Sequence, residues 1–329
     1  MSLIIDLLTR EDTCASSNDY NGDHWNARIS SIFVVLIGSA FGSFFPILSS
    51  RYSFIRLPNW CFFITKFFGS GVIVATAFIH LLSPASDNLG DECLGEPFTL
   101  YPFAFGICLI TLMMLFFAEL VAYRYMEAKL GGFDVDTEQP THTHSHFGDS
   151  ELFVKNAGHE HNDKQFAAQL LNVSILEFGI VFHSIFVGLT LAISGKEFTT
   201  LYIVVVFHQL FEGLGLGTRI ALIDWPKNKR LTPWLLAFGY TLCTPIAIGI
   251  GLGVRNTYVN GSRTALITNG VFDSVSSGIL IYTGLIELMA HEFLFGDEFK
   301  GVGGLKKMCW AYLVMCCGAG LMALLGRWA

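Results

Sequence analysis

The chain is predicted to be an all-α protein that crosses a membrane eight times, and three observations carry that prediction. It is 52% hydrophobic and only 14% charged over 329 residues, where a soluble domain carries about 25% charged residues. It contains 33 Gly and 30 Phe, and Gly is commoner in membrane helices than in soluble ones. Its apolar residues also fall in eight runs of roughly the 20 residues that a helix needs to span the hydrocarbon layer. The runs lie near 29–50, 58–83, 101–125, 167–194, 199–222, 232–254, 264–290 and 307–328.

Taken in order, these runs divide the chain into five parts. Residues 1–28 form an N-terminal segment; Met1–Leu8 is too short for a cleavable leader, and no small-residue cleavage site follows it. Residues 29–125 hold spans one to three, with Pro46 expected to kink the first. Residues 126–166 are the one long polar loop, and 167–222 hold spans four and five. Residues 232–329 hold spans six to eight, with Pro245 expected to kink the sixth. The loop carries His142, His144, His146, His159 and His161, half of the chain's ten His. Low hydrophobicity and mixed charge predict disorder there. Its role is open between a solvated linker and a weak regulatory metal-binding loop, as His-rich tracts often bind metal.

An even number of spans puts both termini on one side, and Lys and Arg select the side. Thirteen of the 20 Lys and Arg fall at the loops after spans one, three, five and seven; six fall on the opposite side and Lys66 lies within span two. Both termini are therefore expected outside the cytoplasm. The loop after span two, with Asp87, Asp91, Glu92 and Glu96, fits that side. So do Cys14 and Cys93, which can pair if both face an oxidising compartment. Asn260-Gly261-Ser262 on the same side is a glycosylation sequon close to the membrane. The other six Cys lie in or beside apolar runs and are expected to be small buried hydrophobes. The net charge of −7 comes with no basic stripe, so no nucleic-acid partner is expected.

A weak internal repeat relates the second and seventh spans. Ser70–Leu82 aligns without gaps on Ser277–Met289, with five of thirteen positions identical and His80 opposite Glu287. Spans one to three and six to eight would then be two units of opposite orientation, in a 3+2+3 arrangement around spans four and five. Inverted repeats flanking a mid-membrane site are a recurrent transporter design.

Ionisable groups inside a bilayer cost several kcal/mol, so those in the spans are the candidate functional residues. Span five contains His208-Gln209-Leu210-Phe211-Glu212, and residues four apart share a helix face. Span four contains His183-Ser184. A single intramembrane His more often bonds between helices than binds metal, but three ligand-type residues on adjacent antiparallel spans reverse those odds. Gly188, Gly213 and Gly217 are expected to bring the two spans together. His183, His208 and Glu212 suit a borderline divalent cation such as zinc or ferrous iron, with Ser184 and Gln209 as weak ligands or supporting donors. His80 and Asp87 stand on one side of this centre, and Glu287 and His291 on the other, as stations along a path. Asp87 also reads as a solvated loop acid. Glu177 is either a helix cap or an exit-path carboxylate. Glu119 is expected in a structural hydrogen bond.

At these residues the chain resembles the ZIP (Zrt/Irt-like) family of divalent-metal transporters, and within it the fungal low-affinity zinc uptake proteins of the plasma membrane. The matching pieces are His183-Ser184 with Gly188-Leu189, His208-Gln209 with Glu212-Gly213, Ser70-Gly71 through His80, and Arg51–Phe63. The resemblance implies eight helices, outside termini, a cytoplasmic His-rich loop, a metal site between spans four and five, uptake into the cytoplasm, and homodimers. The sequence departs from the bacterial two-metal pattern at Val187, Gln209 and Thr244, which replace carboxylates, so a single transported metal is expected.

The expected function is import of Zn2+ as a substrate rather than a cofactor, with Fe2+, manganese and copper open on the same donor set. A plasma-membrane location follows from the resemblance; an internal membrane would show the same features. Two other classes compete. A non-transporting metal sensor would use the His-rich loop. An intramembrane metallohydrolase needs a second His after His291-Glu292, and the sequence lacks it. The protein is therefore not expected to be an enzyme.

Overall fold

The computed structural model describes residues 14, 24–129, 160–195, 197–255, 261–295, 297–301 and 303–327. Eight helices among them are long and apolar enough to cross a membrane. They are α1 (Trp25–Arg51), α2 (Asn59–Leu89), α3 (Phe103–Lys129), α4 (Glu160–Ile193), α5 (Phe198–Leu222), α6 (Thr232–Val254), α7 (from Arg263) and α8 (Gly304–Leu325). Two are interrupted. Helix α2 is π-helical over Thr76–Leu82, and α7 is π-helical from Thr283 to its end at Phe295. Such turns are rare and concentrate at functional sites.

The rods outrun the apolar runs. Helix α3 continues to Lys129 and α4 starts at Glu160, inside the stretch 126–166 read as loop. Hydropathy marks only the part of a helix that meets lipid, and the backbone ladder continues into water. His142, His144, His146 and His159 lie outside the described residues, as does Asn260. His161 falls in the first turn of α4, and its side chain lies outside the description.

Helix α1 packs on α5 and α6, and α4 packs on α6; α2 packs on α8, and α3 on α7. The two groups meet where α2 touches α5 and where α7 touches α2 and α4. One apolar core runs through this junction, with Leu216 and Tyr240 from the first group and Ile73, Ala77 and Leu280 from the second. The junction is tight because of glycine. A Cβ on Gly69 would lie 2.3 Å from the Gly215 Cα, and one on Gly71 1.9 Å from the Met315 carbonyl oxygen.

The glycines of α4 and α5 do not serve the contact expected of them. Gly188 faces Thr244 and Ala247 of α6, Gly213 faces Tyr240 of α6 and Ser43 of α1, and Gly217 faces Ser43. They seat α4 on α6 and α5 on α1. Spacing shows that a helix can be approached closely, but not by which neighbour. Gly217→Val is expected to prevent correct assembly, because its Cβ would meet the Ser43 carbonyl oxygen at 2.3 Å and overpacking costs about 1–3 kcal/mol or more. Loss of the monodisperse peak in size-exclusion chromatography checks this.

Two features fix the end of the bundle that carries the termini. Cys14 and Cys93 form a disulfide, tying the N-terminal segment to the connection after α2. Arg28 is buried and donates from Nη1 to the Ala192 carbonyl at 3.0 Å and from Nη2 to that of Ser194 at 2.6 Å. Its guanidinium lies 4.3 Å from the Phe198 ring centroid. The last carbonyls of a helix lack intrahelical partners and carry partial negative charge, so a cation at the end of α4 is well placed. Of the six unpaired Cys, only Cys108 is buried. Cys309, Cys316 and Cys317 are exposed on α8, because apolar residues of an outer helix can face lipid instead of the core.

Candidate metal centre

Helices α4 and α5 are joined by a short turn, so residues equally far from it stand at one level. His183 is ten residues before Ile193, and His208 ten after Phe198. At 1.5 Å per residue this is about 15 Å from the helix ends, near half the thickness of a hydrocarbon layer. One turn further along α5, Glu212 points the same way as His208.

The three side chains converge. His183 Nε2 lies 3.4 Å from His208 Nε2, and His208 Nε2 lies 3.3 Å from Glu212 Oε2. One ligand atom from each falls within 4.8 Å of the others. Zinc bonds of 2.0–2.1 Å in tetrahedral geometry place neighbouring ligand atoms about 3.3–3.4 Å apart, so two edges of a coordination shell are already set. All three residues are buried. Neither Glu212 carboxylate oxygen has a hydrogen-bond donor. Buried carboxylate oxygens are costly when unsatisfied, and a cation between the three groups removes that cost.

The surroundings supply further groups. The His80 ring, in the π-helical turn of α2, lies tilted against that of His208 with centroids 4.9 Å apart, so it adjoins the centre instead of standing a station away. Its Nε2 lies 2.9 Å from the Met322 carbonyl oxygen of α8; a carbonyl only accepts, so that nitrogen carries the proton. Gln209 Nε2 donates to Ser184 Oγ at 3.2 Å, while Gln209 Oε1 and Thr244 Oγ1 are buried without hydrogen-bond partners. Tyr240 Oη donates to the Gln209 carbonyl at 2.5 Å, holding α6 against the turn that carries His208.

Asp273 is the residue that sequence reasoning missed. It lies ten residues into α7, level with the two His, and its Oδ1 is 3.9 Å from His183 Nδ1. The signal was present, as Asp273 is an acid inside an apolar run, but the residues four positions away, Asn269 and Ser277, are neither His nor acid.

The remaining predicted residues are spread along the bundle. Asp87 is exposed, but on the helical outer stub of α2 and not in a loop. Glu177 is buried in the middle of α4, with Oε1 facing Gly239 of α6 and Oε2 lacking a partner; this rules out the helix cap. Glu287 accepts from Asn172 Nδ2 at 2.6 Å. His291 is half-buried in the same π-helical turn of α7. Glu119 accepts a hydrogen bond from the Tyr282 hydroxyl, the structural role expected.

Toward the end opposite the termini, a charge network joins the two helix groups. Arg219 of α5 donates from Nη1 to Glu292 Oε1 of α7 and from Nη2 to Ser70 Oγ of α2, both at 2.7 Å. Lys66 of α2 lies 3.7 Å from Glu292 and 3.1 Å from Glu298, which also meets Lys307 of α8 at 3.2 Å. Partial burial pushes the Glu298 carboxyl up, but the Lys66 charge and hydrogen bonds from both Lys outweigh it and hold the carboxyl below its ordinary value.

Comparison with known proteins places this geometry. Residues 25–326 match the family model described as ZIP Zinc transporter. The chain is 47% identical to zinc-regulated transporter 2 of Saccharomyces cerevisiae, over 99% of this chain and 100% of the relative. It is 40% identical to zinc-regulated transporter 1 of the same yeast, over 95% and 89%, and 34% identical to zinc transporter 3 of Arabidopsis thaliana, over 92% and 84%. A family match that begins in α1 and ends just past α8, enclosing the buried His-His-Glu centre, shows that the chain belongs to the ZIP zinc transporter family.

Proposed function

We propose that the protein imports zinc into the cytoplasm by way of His183, His208 and Glu212, the metal being cargo. The observation that carries this reading is the pair of 3.3–3.4 Å ligand edges at mid-depth of the bundle. Three ligands leave the tetrahedron one position short, and an open position favours exchange over permanent storage. His80 and Asp273 flank the centre as supporting groups. Ser184 and Gln209 steady the α4–α5 contact, and Glu177, Glu287 and His291 lie on the route onward.

The termini face outside. The Lys and Arg skew supports this, as does the Cys14–Cys93 disulfide, which belongs in an oxidising compartment. A plasma-membrane location agrees with both. The paired helices also support the inverted repeat. If α1, α2 and α3 correspond to α6, α7 and α8, the α1–α5 contact mirrors α6–α4, and α2–α8 mirrors α7–α3. The two π-helical turns begin at Thr76 and Thr283, which are opposite each other in the repeat.

Zinc uptake into proteoliposomes containing a trapped zinc indicator tests the function, with ferrous iron, manganese and copper as competitors. Accumulation that saturates with external zinc is expected, with ferrous iron the more effective of the first two, as the Irving–Williams order ranks it above manganese. Saturable binding without accumulation would mean a sensor.

A further inference from the structure

We propose that Arg219 is the cytoplasmic gate of the transport route: its guanidinium closes the path below the metal centre and must leave Glu292 and Ser70 before a cation can pass. The inference rests on the transport reading above and adds a residue and a device to it.

Three observations place the gate. Arg219 is seven residues after Glu212 on α5, two helical turns, so both lie on one face about 10 Å apart along the axis. The residue between them on that face, Leu216, is fully buried in the core with Ile73 and Ala77 of α2 and Leu280 of α7. An ion leaving Glu212 toward the cytoplasm along this face therefore meets an apolar collar first and the guanidinium second.

Arg219 also bridges the two helix groups. It sits on α5, and its guanidinium donates to two side chains of the other group, Ser70 on α2 and Glu292 on α7. These contacts exist only while the two groups are closed together at this end. Arg219 Nε and Glu292 Oε2 are buried without hydrogen-bond partners, so neither group is saturated by the closed arrangement. The closure is held by charge and geometry, and it can be released.

The electrostatics give the gate a direction. A fixed cation next to an apolar collar repels a divalent ion, whereas the carboxylates behind it attract one. Lys66 and Lys307 share Glu298, and Lys66 also faces Glu292. When Arg219 swings away, Glu292 loses its closest cation and becomes a carboxylate that an incoming metal can use. One movement thus opens the route and exposes an acceptor at its end.

The test reads accessibility at Leu216. In full-length protein whose six unpaired Cys are replaced by Ser, Leu216→Cys is placed in proteoliposomes. A membrane-impermeant cationic thiol reagent is applied from the cytoplasmic side. Adding Arg219→Ala is expected to speed modification by roughly tenfold or more, since removing one partner of a partly buried ion pair destabilises the state that contains it. Glu292→Gln, which keeps the side-chain volume, is expected to act in the same direction. It also serves if Arg219→Ala fails to fold. The exchange Arg219→Glu with Glu292→Arg is expected to return the rate toward that of the starting protein. Zinc binding by detergent-purified Arg219→Ala with Leu216 intact, read by calorimetry, should stay within about threefold, because Arg219 is not a metal ligand.

Unchanged modification rates in folded Arg219→Ala and Glu292→Gln would overturn the gate. That failure is distinct from failure of the transport reading, in which the unaltered protein binds zinc but does not accumulate it.

Discussion

His208→Ala and Glu212→Ala are each expected to abolish zinc uptake in proteoliposomes and to weaken zinc binding by more than about 100-fold, the upper range for losing a group that merely supports a ligand. Removing His208 breaks both of the 3.3–3.4 Å edges, and removing Glu212 breaks one. The residual pair, His183 with either neighbour, cannot offset the dehydration of a divalent ion at mid-depth. Folding separates lost chemistry from lost structure. Glu212 is fully buried, its oxygens lack hydrogen-bond donors and, among the described residues, only the His208 ring, 3.3 Å away, lies within ion-pair distance to offset its charge, so metal-free protein carries a poorly compensated carboxylate. Glu212→Gln, of the same shape, is expected to raise thermal stability in the absence of zinc while abolishing the zinc-dependent increase in Tm that ligand binding produces. A Gln variant that is less stable than the parent in chelator, and still stabilised by zinc, would remove Glu212 from the site.

Much of this centre could be read from spacing alone. An i, i+4 His and Glu share a face, and a short connection makes α4 and α5 antiparallel, so residues ten positions either side of the turn share a level. Both rules are local and survive folding. What failed was whatever depended on which neighbour packs where. Gly188, Gly213 and Gly217 were expected between α4 and α5, yet they seat those helices on α6 and α1. A periodic pattern gives the existence of a close-approach face but not its partner. The distance of His80 from the centre was overstated for a similar reason. The π-helical turn at Thr76–Leu82 shifts the side chains around the axis relative to an uninterrupted α-helix, and nothing in the composition marks that turn. By position in the sequence Arg28 and Arg219 fall among the Lys and Arg that flank the spans. Their burial is decided by distant partners, the carbonyls of α4 for one and Glu292 with Ser70 for the other.

Asp273 yields the second prediction of large effect. His183 presents Nε2 to the centre, and its Nδ1 points away from the ligands, 3.9 Å from Asp273 Oδ1. That is ion-pair distance but beyond a hydrogen bond, and Nδ1 is otherwise buried without a partner. A metal on Nε2 draws electron density from the ring and makes the Nδ1 proton a stronger donor. A shift of about 1 Å then completes the carboxylate–histidine–metal arrangement that fixes ring orientation and raises ligand basicity. Asp273→Asn is expected to weaken zinc binding about 10–100-fold without abolishing it. Asp273→Ala should do at least as much. His183→Ala should be more severe than either, because it removes the ligand itself. Combining Asp273→Asn with His183→Ala distinguishes support from direct coordination. If Asp273 acts only through His183, the double variant binds zinc no more weakly than His183→Ala alone, as groups acting in series are non-additive. A further loss in the double variant would make Asp273 a ligand in its own right and would widen the centre from two helices to three.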